Sequence, residues 1–124
     1  MSTMRVRFRV HFGRDVTVGP GKIELLEHIA RAGSLSQAAR AMDMSYRRAW
    51  VLLNSMNTSY REPVVITAKG GRGGGGATLT AFGRELIRIY RQFDKALQRR
   101  AARSFTPIAG QLAGERTPRA AKLR

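Results

Sequence analysis

A chain of 124 residues that is 43% hydrophobic can bury one modest core, and one folded domain is the expectation. Its 23 Lys and Arg stand against 8 Asp and Glu, a formal charge of +15, which excludes most metabolic enzymes and makes a polyanion, nucleic acid first, the expected partner. The absence of cysteine excludes disulfides and thiolate metal sites; no stretch approaches the roughly 18 apolar residues of a membrane span, so a cytoplasmic location without membrane contact is expected.

In chain order, Arg5 to Phe12 alternates strictly, with Val6, Phe8, Val10 and Phe12 on one face, and reads as a half-buried strand. The segment 13–21, with Gly13, Asp15, Gly19 and Pro20, reads as a turn and a helix start. Residues 22–32 place Ile23, Leu26 and Ala30 in one stripe beside Leu25 and Ile29, opposite Glu24, Glu27, His28 and Arg31, which predicts an amphipathic helix ended by Gly33. Ser34 or Ser36 can cap a helix over 37–42, and Ser45 one over 46–57, with Asp43-Met44 as a tight connection. Helix, short turn, helix is the outline of a helix-turn-helix.

The run Val64 to Thr67 and the run Ala77 to Leu79 bracket a glycine-rich basic segment, which predicts a hairpin with a long tip. Thr80 caps a last helix from Ala81 to about Arg103. Along it Phe82, Leu86, Ile89, Phe93 and Leu97 recur at steps of three and four, a seam suited to a dimer interface. Residues 104–124 carry Pro107, Gly110, Gly114 and Pro118 and read as a disordered basic tail, with Arg116, Arg119, Lys122 and Arg124 against Glu115 alone.

In the helical pair, Ala38 and Ala39 allow close approach, Met42 and Met44 fill the wedge, and Ala49, Leu53 and Met56 must face inward. Tyr46, Arg47, Trp50 and Asn54 then turn outward, with Arg48 at the flank; Ser36, Gln37 and Ser45 at the helix starts join them as candidate DNA contacts. Arginine there has the donors to read guanine edges or hold phosphates. The competing readings make Trp50 a core anchor and the arginines mere surface solvation. Lys69 and Arg72 in the tip would reach phosphates or the minor groove; a nucleotide cradle would need a Gly-Lys-Ser/Thr run leading into a helix, which is missing. His11 and His28 stand without clustered ligands, so neither metal nor cofactor is expected, and no catalytic constellation is present.

The runs Gly33-Ser34-Leu35-Ser36-Gln37-Ala38-Ala39, Met44-Ser45-Tyr46-Arg47-Arg48-Ala49-Trp50 and Asn54-Ser55-Met56-Asn57, followed by Gly70 to Thr80 and Gly83, resemble the N-terminal winged-helix domain of ModE-type molybdate-responsive regulators. The first of these runs is shared with LysR-type regulators. The resemblance covers about residues 5 to 100. It implies a dimeric transcription factor whose 46–57 helix enters the major groove of double-stranded DNA, with the hairpin as a wing beside it and the strand and last helix building the homodimer. The tail is too short to be a molybdate-binding module, so molybdate sensing is not expected.

The expected fold is therefore mainly α with a small β component (α+β), a winged helix-turn-helix over residues 1–103 with a dimerisation helix over about 80–103. The expected function is sequence-specific DNA binding in transcription regulation, on a two-fold-related operator. Its rivals are a dimerising modulator of a full-length regulator and a nonspecific nucleic-acid-binding protein.

Overall fold

The computed structural model describes residues 4–68 and 75–113; Lys69 and Arg72 of the hairpin tip, and the tail from residue 114, lie outside them. These residues form two compact units, one of residues 7–92 and one combining residues 4–6 with 93–113.

The first unit opens with β1 (Val10–Phe12) and β2 (Val16–Val18), antiparallel, Val10 opposite Val18 and Phe12 opposite Val16. Gly13 makes the reversal at φ 69°, a left-handed conformation glycine adopts without a Cβ penalty. The alternation from Arg5 thus yields a strand of three residues, because pairing reaches only Val10 to Phe12. Its partner lies in the segment read as turn.

α1 (Pro20–Ala32) starts with proline in the first turn, where a missing N–H costs nothing, and ends at Gly33 (φ 72°), whose N–H donates to Ile29 O at 2.8 Å. Ile23, Leu25, Leu26 and Ile29 are buried. Ala30, expected in this stripe, is exposed: one methyl group in the last turn leaves little to bury.

α2 (Leu35–Ala41) is capped by Ser34, whose Oγ accepts from Gln37 N–H at 3.0 Å, so the helix starts two residues earlier than a Ser36 cap would allow. Asp43 turns the chain at φ 57°. α3 (Tyr46–Ser59) is capped by Ser45, Oγ accepting from Arg48 N–H at 3.1 Å. β3 (Val65–Thr67) and β4 (Ala77–Leu79) pair antiparallel, Val65 opposite Leu79 and Thr67 opposite Ala77. α4 (Ala81–Ala109) supplies residues to both units and begins with Thr80 Oγ1 accepting from Gly83 N–H at 2.9 Å.

The main core brings Ala38 and Ala39 against Ala49, Leu53 and Met56, with Leu25, Leu26 and Ile29 on one side and Val64, Val65, Ala77 and Leu79 on the other. Phe82 and Leu86 pack against it, and the Phe82 ring meets Tyr60 edge-on at 5.2 Å between centroids. Phe82 and Leu86, two of the five residues expected in a dimer seam, are thus partly buried within the fold itself. Ile89 is 52% exposed. A smaller cluster joins Val18, Ile23 and Tyr90, with the Phe8 ring stacked on Tyr90 at 4.7 Å and the Tyr90 hydroxyl donating to Phe8 O. Three helices followed by a two-stranded hairpin make this unit a winged helix-turn-helix of the α+β class, as expected.

Arg91 grips Glu27 through two hydrogen bonds of 2.8 Å, Nε to Oε2 and Nη2 to Oε1. That bonding holds the Glu27 carboxyl below its ordinary 4.5, against the opposing effect of burial. A carboxyl with a depressed folded pKa adds stability above its unfolded pKa and loses it as pH falls through the folded value. The stability difference between wild type and Glu27→Gln should therefore shrink as pH falls from 7 to about 3. The loss is under about 1 kcal/mol because Arg91 is more than a third exposed, and urea midpoints at the two pH values read it.

In the second unit Gln98 clasps the backbone of Val6: Oε1 accepts from Val6 N–H at 2.8 Å and Nε2 donates to Val6 O at 2.9 Å and to Asp94 Oδ1. The helix expected to end near Arg103 continues to Ala109 through Pro107. Proline removes a single backbone donor here, two residues from the helix end, and Thr106 Oγ1 donates to Ala102 O beside it. Ala101, Phe105, Ile108 and Leu112 also keep helical spacing, lining one groove with Met4 and Val6. Phe105 to Ala109 therefore departs from the disordered tail expected there.

Candidate nucleic-acid interface

The buried residues of α3 fix its rotation. Ala49, Leu53 and Met56 lie at i, i+4 and i+7 and face the core, so Arg47, Val51 and Asn54 take the opposite side. Arg48 is exposed on one flank. Tyr46 and Trp50 lie on the other, where with Asn54 and Asn57 they form one wall of an open cleft. Ser34 and Ser36 at the start of α2 form a second wall, and Thr67, Ala68, Gly75 and Gly76 of the hairpin a third.

Trp50 is 49% exposed and Tyr46 56% exposed, so Trp50 is not a core anchor. Ser36, Tyr46, Trp50 and Asn54 thus line one cleft. Gln37 is exposed in the first turn of α2 but does not line the cleft, and the Ser45 hydroxyl serves as helix cap.

Electrostatics single out the start of α3. No acidic residue occupies its first turn, and none occurs anywhere from Tyr46 to Ser59. Arg47 and Arg48 instead sit where the helix dipole is positive, an arrangement that disfavours cations by a few tenths to about 1 kcal/mol each. An anion placed against this end would relieve that repulsion.

Two residues of this region escaped sequence reasoning. Asn57 fastens α3 to the hairpin: its Oδ1 accepts from Val64 N–H at 2.8 Å and Val65 N–H at 3.2 Å, and its Nδ2 donates to Val65 O at 3.0 Å. No local pattern marks such a role, since its partners lie seven and eight residues ahead. Val51, 52% exposed, shares a shallow depression with Tyr46, Arg47 and Trp50. Its signal was available, because it falls four residues after Arg47 and three before Asn54.

Further bonds hold the hairpin base. Ala77 N–H donates to Gly33 O at 2.9 Å, Thr80 N–H donates to Val64 O at 3.0 Å, and Thr80 Oγ1 donates to Pro63 O at 2.8 Å. Among the described residues no cluster of His, Asp and Glu could hold a metal ion, and no helix is long and apolar enough to cross a membrane.

The fold is similar to that of FabT from Streptococcus pneumoniae, solved in complex with DNA, with a TM-score of 0.52 at 17% identity over 79% of this chain and 64% of that one. In sequence, the chain is 38% identical over 105 residues to the molybdenum transport protein ModE of Azotobacter vinelandii, covering 78% of this chain and 39% of that protein. It is 48% identical over 71 residues to the DNA-binding transcriptional dual regulator ModE of Escherichia coli K12, covering 57% of this chain and 27% of that one. The chain therefore spans well under half the length of these relatives. Residues 21–84, which hold α1 to α3 and the hairpin, match the model of bacterial regulatory helix-turn-helix proteins of the lysR family. The two arginines at the dipole-positive end of α3 and the cleft beside them thus stand on the helix-turn-helix of a family whose members are regulators, and this chain belongs to the bacterial regulatory helix-turn-helix proteins of the lysR family.

Proposed function

We propose that the chain is a transcriptional regulator that reads double-stranded DNA with α3 in the major groove and the β3–β4 hairpin as a wing along the adjacent backbone. The observation that carries this reading is the outer face of α3, free of acidic residues, with Arg47 and Arg48 exposed at its start and Tyr46, Trp50 and Asn54 turned to the same solvent. Arg47 reads a guanine, Asn54 is suited to an adenine, and Ser36, Gln37 and Arg48 hold phosphates. Lys69 and Arg72 extend the phosphate contacts, and the basic residues Arg116, Arg119, Lys122 and Arg124 add affinity on any sequence through counterion release. Two copies associate through α4, on which Ile89 and Phe93 are each about half exposed, and so meet a two-fold-related operator.

Selection of bound duplexes from a random pool, followed by titration of the selected site and a scrambled one, tests this. A bidentate Arg–guanine contact is worth about 1–3 kcal/mol, so Arg47→Ala should cut the preference for the selected site by roughly ten- to a hundredfold. The double variant Lys69→Ala/Arg72→Ala should instead weaken both duplexes alike and lower the slope of log K against log salt by about 0.9 per contact. A wild-type chain that enriches no sequence would sink the reading.

A further inference from the structure

A half-exposed valine in the middle of a cationic helix face is costly twice over. β-Branching makes it a poorer helix former than alanine, and its methyls stay in water. Val51 is also not isolated. With Tyr46 and Trp50, each also 49–56% exposed, it surrounds a depression whose fourth side is Arg47. Apolar side chains gathered beside a cation offer an apolar group on an anionic partner a place to leave water.

We propose that Val51 is a sequence-determining contact that receives the C5 methyl of a thymine beside the base read by Arg47. The proposal rests on the reading of α3 as the major-groove helix and adds to it a base that no hydrogen-bonding side chain reports. Thymine alone among the four bases presents a methyl in the major groove, and small apolar side chains are its partners. The open depression formed by Tyr46, Arg47, Trp50 and Val51 presents a methyl group with apolar walls, two of them aromatic rings. Four residues of helix rise about 6 Å between Arg47 and Val51, and bases step by about 3.4 Å, which places the thymine within one or two base pairs of the guanine.

Deoxyuridine tests this directly, since it differs from thymidine only by the missing methyl. In the duplex selected from a random pool, each thymine is replaced in turn and the affinities of wild type and Val51→Ala are measured. One position should lose about fourfold in wild type, the value of one buried methyl group, and that position should lie within two base pairs of the one flattened by Arg47→Ala. In Val51→Ala the ratio of thymine to deoxyuridine affinity should fall to near one there and stay unchanged elsewhere. Because the residue is exposed and alanine is the better helix former, the variant folds, which circular dichroism verifies. A deoxyuridine penalty that persists in Val51→Ala, or no sensitive thymine near the Arg47 position, overturns the proposal alone. A wild-type chain that selects no sequence overturns it together with the reading on which it rests.

Discussion

Gly83→Ala is expected to lower the thermal midpoint of the protein by about 10–20 °C. A Cβ built on Gly83 would stand 2.2 Å from Val64 O, 3.1 Å from Val64 C and 3.3 Å from its Cα. These are backbone atoms, so no side chain can swing aside. The same carbonyl accepts the N–H of Thr80 at 3.0 Å and its Oγ1 at 3.2 Å, so a shift that relieves the clash breaks bonds that start α4. Overpacking costs typically 1–3 kcal/mol and more where backbone must move; about 3 kcal/mol over a unit of this size gives the stated drop. Helix propensity pulls the other way, since alanine is favoured over glycine by about 1 kcal/mol inside a helix. A melt followed by circular dichroism decides: an unchanged or raised midpoint would mean that α4 does not sit against Val64 in this way.

The second large effect belongs to Asn57. Truncation to alanine removes the acceptor of two backbone donors and the donor to one carbonyl, next to Val64 and Val65, which are almost fully buried. A buried donor left without a partner costs about 1–3 kcal/mol, so Asn57→Ala should destabilise by roughly 3 kcal/mol. Asn57→Asp keeps the acceptor and loses the donor, facing a carboxylate to Val65 O; its cost should be of the same order at neutral pH and fall as acid protonates the carboxyl. Hydrogen exchange separates this clamp from a general packing loss. The amides of Val64 and Val65 should exchange faster in both variants under conditions where those of Leu25 and Leu26 are still protected.

Local chemistry made much of this fold legible. Ser45, Thr80 and Gly33 act at short range on their own helix ends, and each occupies the cap its type suggested. The inward triplet Ala49, Leu53 and Met56 followed from helical spacing alone, and with it the outward turn of Arg47, Trp50 and Asn54. What was not legible depends on partners distant in sequence or on neighbours' shapes. Val16 to Val18 becomes a strand only because Gly13 folds it onto Val10 to Phe12. Phe82 and Leu86 carry the same periodicity as Ile89, yet the core partly buries the first two and leaves the third half exposed. Pro107 and the glycines after it read as a disordered tail, while the spacing of Ala101, Phe105 and Ile108 carries the helix on to Ala109. Asn57 reveals its role only once β3 lies beside α3.

The bonds at the base of the hairpin have a kinetic consequence. Asn57 ties it to α3, Thr80 to the start of α4, and Gly33 O to the end of α1, so three helices converge on one pair of short strands. The orientation of the described base is thereby settled when the chain folds. On the proposed reading the described base of the hairpin meets DNA without a search over angles, and the ordering entropy that a loose appendage would lose at the moment of contact is already absent. On that reading association with DNA should run near the rate that charge steering permits, and loosening Asn57 should weaken the complex by restoring that ordering cost.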